Sequence, residues 1–135
     1  MKAEKSYYTI LSKQCIMICT IMLSLLALAC NDIPDSITTV DEWLQIYPDY
    51  INATIPADMT PLNFSIKDHD VTQIDVKVNG SAGGQMHSSG RHTDFDKMEW
   101  KKIVEKNAGR ELVFSVCAKR KGQWIKYRDF QVNIR

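Results

Sequence analysis

This sequence contains one cluster of potential metal ligands and one potential nucleophile. His87 and His92, with Asp94 and Asp96 close behind, could place imidazoles and carboxylates around a metal ion if the intervening chain curled. Cys117 could act as a nucleophilic thiol. Each has a simpler alternative, a solvated polar loop for the first group and a small apolar strand residue for Cys117. We favour the simpler alternatives and predict no catalytic residue, no metal site and no cofactor.

A third candidate, Cys30, follows an apolar run of 15 residues, 15–29, that is preceded by Lys2, Lys5 and Lys13. A basic start, an apolar middle and small residues at the exit are typical of a secretory signal. As a helix the run reaches about 22 Å, which is short of the roughly 30 Å hydrocarbon core of a bilayer. We therefore expect residues 1–29 to be a cleaved signal peptide rather than a permanent membrane span.

The segment Leu26-Ala27-Leu28-Ala29-Cys30 resembles the lipobox of bacterial lipoproteins. It departs from the usual pattern at Ala27, where leucine is common. The resemblance implies acylation of Cys30 as the mature N-terminus, and several acyl chains hold a protein on a bilayer where one chain binds only marginally. The alternative is an ordinary signal peptide with a cysteine near its end.

Residues 30–135 number 106, enough for one domain, and no intrachain disulfide is expected because Cys117 is the remaining free thiol. Residues 30–96 carry 3 basic and 11 acidic side chains, whereas residues 97–135 carry 11 basic and 4 acidic ones. The basic half has no nucleic-acid-binding motif, so we expect no nucleic acid partner. This charge split either steers a charged partner or compensates on folding.

Residues 30–39 are rich in polar side chains and proline, which predicts a lipidated tether. Within it, Asp35-Ser36-Ile37 resembles the O-glycosylation site of Bacteroidetes envelope proteins, with Ser36 as the acceptor. A plain linker serine is the alternative.

Alternating apolar residues dominate residues 40–135 and predict about six strands. Thr39-Val40-Asp41-Glu42 predicts one or two helical turns ended by Pro48, and Asp96 predicts a longer helix ended near Gly109. Residues 81–93 are either an exposed loop or a polar edge hairpin. The expected fold is an all-β, immunoglobulin-like antiparallel β-sandwich with one short helix.

Aromatic residues in the second half of the domain are candidates for an interaction surface. Trp100, Trp124 and Tyr127 could form a platform for a sugar or a protein. Core packing is the favoured alternative, because these residues occupy alternating or helically spaced inward positions.

Several ordered motifs resemble the lipid-anchored N-terminal module of Bacteroidetes TolB-like β-propeller proteins. The motifs are Tyr47-Pro48-Asp49-Tyr50, Thr54-Ile55-Pro56-Ala57, Pro61-Leu62-Asn63-Phe64, Trp100-Lys101, the hairpin of residues 122–127 and Phe130-Gln131-Val132. The resemblance implies a non-catalytic anchor, spacer or protein-interaction module, with a propeller in the same polypeptide or another protein as its partner.

The resemblance also implies a location in the cell envelope, on a membrane through acylated Cys30. The outer membrane facing the periplasm is expected, with surface exposure as the alternative. In the family the chain continues into a region with a haem-type cysteine motif and a propeller, and neither is present in these 135 residues. The alternative function is a free-standing envelope lipoprotein that binds glycan or protein.

The lipoprotein interpretation makes a direct prediction for Cys30→Ala. The variant loses the acyl acceptor, so we expect it to lose metabolic labelling by fatty acid and to move to the soluble envelope fraction. Unchanged labelling would overturn the lipoprotein interpretation, and a Cys117→Ser variant, which should label normally, is the matched control.

Overall fold

The computed structural model describes residues 12–14, residue 16 and residues 37–135. The chain divides into two units, Met1–Ile33 and Pro34–Arg135. In the first unit Ser12, Lys13, Gln14 and Ile16 are helical and exposed. Among the described residues, no helix combines the length and hydrophobicity that crossing a membrane requires. The predicted acylation site Cys30, the predicted glycosylation site Ser36 and most of the predicted signal peptide lie outside the described residues.

The second unit is built on a seven-stranded sheet. Its central pair is β5 (Val71–Gly80) and β7 (Glu111–Arg120), two antiparallel strands of 10 residues each. Ile74, Val76 and Val78 are fully buried and alternate with more exposed neighbours. Leu112, Phe114, Val116 and Ala118 on β7 do the same. The alternation in the sequence therefore predicted both strands correctly.

The other strands attach to the two edges of this pair. One edge of β5 carries β6 (Gln85–Gly90). The far edge of β7 is shared, with β8 (Gln123–Lys126) along one half and β9 (Phe130–Ile134) along the other. Two short strands pair in parallel outside these, β1 (Thr38–Thr39) on β8 and β3 (Thr54–Ile55) on β9.

A second layer covers one face of the large sheet. It contains a two-stranded sheet of β2 (Ile46–Tyr47) and β4 (Ser65–Ile66), and the helix α1 (Lys97–Lys106). Aromatic rings fill the space between the layers: Phe114 stacks on Phe130 with ring centres 4.8 Å apart, and Phe64 and Phe95 contact Phe114 from the other layer. The predicted class, a mainly β sandwich with one short helix, is confirmed.

The predicted helical turns after Thr39 are wrong. Residues 39–48 instead complete β1, pass through bends at Asp41 and Glu42 and form β2. Leu44 and Ile46 are buried while Trp43 and Tyr47 are exposed, so the burial repeats every two residues, as in an extended chain. Thr38 and Thr39, assigned to the tether from the sequence, already pair with β8.

Residues 81–93 form the polar edge hairpin rather than an exposed loop. The chain turns at residues 81–84 and returns as β6, whose Met86 and Ser88 are buried. Gly83 and Gly84 have φ angles of +100° and +93°, which favour glycine. The turn lies just beyond Asn79 and Gly80, the last two residues of β5.

The helix α1 begins and ends as the sequence predicted. The carboxylate of Asp96 accepts hydrogen bonds from the backbone N–H groups of Met98 and Glu99, both at 2.9 Å, and caps the N-terminus. Trp100, Ile103 and Val104 face the core.

The buried side chain of Asn107 joins the end of α1 to the β5–β6 turn. Its Nδ2 donates to the carbonyl oxygens of Ile103 and Gly83, at 2.7 and 3.0 Å, and its Oδ1 accepts from the N–H of Ala82 at 2.7 Å. A Cβ at Gly80 would overlap this side chain. The helix and the hairpin are therefore held together by one amide.

Asn107→Ala should lower the free energy of unfolding by about 1–3 kcal/mol, because it removes three side-chain hydrogen bonds and leaves the half-buried N–H of Ala82 and carbonyl of Gly83 without this partner. The carbonyl of Ile103 keeps its hydrogen bond from the backbone N–H of residue 107. Urea denaturation followed by far-UV circular dichroism measures the free energy of unfolding. Asn133→Ala, at an exposed position of β9, is the matched control and should change stability little. Equal losses for the two variants would contradict the assignment of Asn107 as the link.

Candidate binding surface

Two large aromatic side chains of the folded unit are exposed, and they lie four residues apart in one extended segment. Trp43 is 43% exposed and Tyr47 is 63% exposed. With the other residues of 41–49, Lys67 and Arg128 they form what we call the Trp43 surface. Its groove has a volume of about 610 Å³ and is lined by Trp43, Gln45, three carboxylates (Asp41, Glu42, Asp49) and two cations (Lys67, Arg128), together with Leu44, Ile46 and Ile51.

Local burial explains why the two rings point outward. Leu44 and Ile46 contribute to the core, and in an extended segment their neighbours on each side must face away from it. The backbone N–H of Lys67 donates to the carbonyl of Gln45 at 3.2 Å, and Ile46 pairs with Ile66. The segment that carries both rings is thus held by backbone hydrogen bonds to a distant part of the chain.

Arg128 organises one side of the surface. Its Nε donates to Oδ1 of Asp41 at 2.7 Å, and its guanidinium lies 4.9 Å from the centre of the Trp43 ring. The backbone N–H of Arg128 also donates to the carbonyl of Glu42 at 2.8 Å. The indole Nε1 of Trp43 donates to the carbonyl of Asp129 at 3.3 Å. Although exposed, the indole is therefore held on two sides.

The Asp41–Arg128 pair is also linked through its charges. Hydrogen bonding to Arg128, and then its positive charge, lower the pKa of Asp41 below its ordinary value. The same contacts raise the pKa of Arg128. Both groups are therefore charged at neutral pH. On the other side of the surface, Nζ of Lys67 lies 5.6 Å from the centre of the Tyr47 ring.

This arrangement suits non-covalent recognition. A fixed aromatic face lies beside hydrogen-bond acceptors on carboxylates and donors on arginine and lysine. A groove of this volume is within the range of ligand sites, and a few polar groups around an apolar surface give such sites their specificity.

The three aromatic residues singled out from the sequence do not form one exposed surface. Trp100 is 1% exposed, lies in the core and donates from Nε1 to the carbonyl of Met59 at 2.9 Å. Tyr127 is also buried. Trp124 is half-buried on the opposite face of the large sheet, across from Lys119. Trp100 and Tyr127 are packed in the core, as the favoured alternative for these aromatic residues predicts.

The exposed rings, Trp43 and Tyr47, were missed because residues 39–48 were interpreted as helical. The spacing of Leu44 and Ile46 is the signal that could have found them, since period-two burial places Trp43 outside.

The candidate metal ligands lie apart. Nε2 of His87 lies 2.7 Å from Oδ2 of Asp75 on the outer face of β5 and β6, the face that points away from the core. The backbone of His92 instead forms an isolated antiparallel bridge with Ser65. Asp96 caps α1. Within residues 37–135 and the four described N-terminal residues, no three potential ligands are grouped for a metal ion.

Cys117 lies on the same outer face, half-buried and directly across from Asp75. Burial, and then the negative charge of Asp75, raise the pKa of its thiol. A raised pKa keeps the thiol protonated near neutral pH and makes it a poor nucleophile. This environment agrees with the interpretation of Cys117 as a strand residue.

Comparison with known proteins adds no relative to this description. No protein-family model matches the chain, and no curated protein or solved structure is significantly similar to it. The description of the site therefore depends on its own geometry.

The negative charge of Asp75 should slow the reaction of the Cys117 thiol with an alkylating reagent, and this effect can be measured. Asp75→Asn removes a negative charge that raises the thiol pKa, so alkylation by iodoacetamide at pH 7.4 should become roughly twofold faster or more. Peptide mass spectrometry after timed quenching measures the rate at Cys117. Glu105→Gln, on the exposed side of α1, is the control and should leave it unchanged. A slower reaction in Asp75→Asn would contradict the stated cause.

Proposed function

We propose that this protein is a non-catalytic, lipid-anchored module of the cell envelope, whose β-sandwich is an anchor and spacer or a protein-interaction domain. The anchor is Cys30, supported by the basic, apolar and small-residue pattern before it. The partner is a propeller domain of the TolB-like kind, in the same polypeptide or another protein. The location is the outer membrane, facing the periplasm, with glycosylation at Ser36 in the tether.

The observation that carries the spacer role is the position of the two ends of the domain. Thr38 of β1 lies across from Ile125, which lies across from Ala118 of β7. At the other end, Asn133 of β9 lies across from Glu111 of β7. Ala118 and Glu111 are seven residues apart on β7, which is about 24 Å at roughly 3.4 Å per residue.

The direction of the strands completes this geometry. β1 runs parallel to β8, so the chain enters the sheet at the end where the β7–β8 turn lies. β9 runs antiparallel to β7 and reaches Ile134 at the opposite end, beside Arg110. A segment attached before β1 and a segment attached after β9 would therefore be held at opposite ends of the sheet.

Both ends are fastened by backbone hydrogen bonds. After β1, the N–H of Val40 donates to the carbonyl of Lys126 at 2.9 Å. After β9, the N–H of Arg135 donates to the carbonyl of Ile55 at 2.9 Å, and β9 itself lies between β7 and β3. A load applied through the chain would be carried by paired strands, as a spacer requires.

The proposal that the module is non-catalytic is supported by the structural contacts that the potentially reactive side chains make. His87 is paired with Asp75, Asp96 caps a helix, and the thiol of Cys117 has a raised pKa. Each of these groups has a structural partner or environment that accounts for its presence.

Energy transfer to a membrane tests the anchor and the spacer separately. The acylated full chain, carrying Cys117→Ser, is labelled with a donor dye at His69→Cys or Arg135→Cys and reconstituted into vesicles with acceptor-labelled lipids. His69 is exposed in the turn before β5, at the entry end of the sheet. We expect stronger transfer from position 69 than from position 135. The difference in distance should be about 30 Å, because Val71 lies across from Arg120 and Asn133 lies across from Glu111, nine residues apart on β7.

Equal transfer from the two positions would overturn the spacer role. The control is Cys30→Ala with the same labels and with Cys15→Ser and Cys19→Ser, so that the introduced cysteine is the thiol that takes the dye. It should give no transfer above that of free dye. Transfer that persists in the control would instead overturn anchoring through Cys30, so the two failures are distinguishable.

A further inference from the structure

We propose that the Trp43 surface binds a neutral oligosaccharide chain, with a sugar ring stacked on the indole of Trp43. This site contains none of the aromatic residues singled out from the sequence. It depends on three observations: the fixed orientation of the exposed Trp43 ring, the mixture of polar and charged groups beside it, and the presence of a second exposed ring, Tyr47.

The first observation is that the exposed indole is pre-organised. Arg128 lies over one face of Trp43, and the indole N–H is bonded to the backbone of Asp129. The exposed 43% of the residue therefore belongs to a ring whose orientation is already set. When a ligand stacks on this ring, the side chain of Trp43 loses little conformational freedom. A small entropy cost of this kind is the general advantage of a pre-organised site.

The second observation is the mixture of polar groups beside the ring. The groove presents carboxylates of Glu42 and Asp49, the amide of Gln45 and the ammonium of Lys67. Sugar hydroxyls both donate and accept hydrogen bonds, so a lining that offers both functions can satisfy them. The C–H groups of a sugar ring cover the aromatic face at the same time.

The charged groups of the lining disfavour polyanionic ligands and purely apolar ligands. Three carboxylates and two cations leave the groove with a net charge of −1, which disfavours polyanions such as nucleic acid, acidic polysaccharide or an anionic membrane surface. An apolar ligand is disfavoured as well, because it would strip water from the charged groups without bonding them. A neutral, hydroxyl-rich chain is compatible with both constraints.

The third observation is the second ring. Tyr47 is four residues beyond Trp43, which in an extended segment is at most about 13 Å. Lys67 lines the groove and also lies over the Tyr47 ring, so it connects the two aromatic residues. A linear chain of several sugar units is therefore a better fit than a monosaccharide.

The test uses the full chain in detergent micelles, labelled with ¹⁵N-tryptophan. The three tryptophans give three indole N–H signals, assigned from single Trp→Phe variants. Cellohexaose, chitohexaose and maltohexaose are titrated in turn. We expect at least one of them to shift the Trp43 signal saturably with a Kd below about 1 mM. The signal of buried Trp100 should stay in place and report that the fold is intact.

Variants connect this binding to the ring. Trp43→Ala should weaken it at least tenfold, and Trp43→Phe, which keeps an aromatic face, should recover part of the loss. Trp124→Ala, on the opposite face of the sheet, is the control and should bind as the unaltered chain does. In Trp43→Ala, binding of the hexasaccharide is measured by calorimetry, and the indole signal of Trp100 reports whether the fold is intact.

Three outcomes would overturn the proposal. The first is the absence of a saturable shift with all three hexasaccharides. The second is equal affinity in Trp43→Ala. The third is tighter binding of a hexagalacturonate, a charged chain of the same length, which would contradict the assignment of a neutral ligand.

Discussion

The pairing of β5 with β7 is the constraint on which the rest of the domain depends. It is the longest ladder in the sheet, with Val76 across from Val116 and Val78 across from Phe114. Because side chains alternate along both strands, one face of this pair is apolar and receives the covering layer. The other face carries Asp75, Cys117 and their neighbours. The pairing therefore decides which residues pack and which are available to solvent.

Elements that belong to this central pair, or lie next to it in sequence, could be predicted from the sequence. β5, β7 and β9 have apolar residues at every second position, and α1 has a capping aspartate followed by Trp100, Ile103 and Val104 at helical spacing. Each of these patterns is long enough to distinguish period two from period 3.6. The same spacing correctly placed Leu112 and Phe114 in the core, and favoured the core for Trp100.

The pairing of the short strands could not be predicted in this way. β1, β2, β3 and β4 have two residues each. Alternation up to Ile55 and up to Ile66 does predict strands where β3 and β4 lie, whereas β1 and β2 are too short to establish a period. Their partners are far away in the chain: Thr38 pairs with Ile125, and Thr54 pairs with Asn133. Local propensity was outweighed by these long-range pairings at Thr39-Val40-Asp41-Glu42, where a capping pattern predicted a helix and the chain is extended instead. The Trp43 surface was missed for the same reason, since it exists only when residues 41–49, Lys67 and Arg128 have been brought together.

Arg128 connects the two proposed roles of the domain. Its side chain holds Asp41 and the Trp43 ring, and its backbone N–H bonds the carbonyl of Glu42, so the segment that follows β1 is fastened to the β8–β9 connection by one residue. Tension on the chain before β1 would reach this residue directly after the β1–β8 pairing. The orientation of the exposed indole therefore depends on the same contacts that secure the entry of the chain. A domain that was loosened at its entry would lose the shape of its groove before it lost its core, because the core depends on β5 and β7.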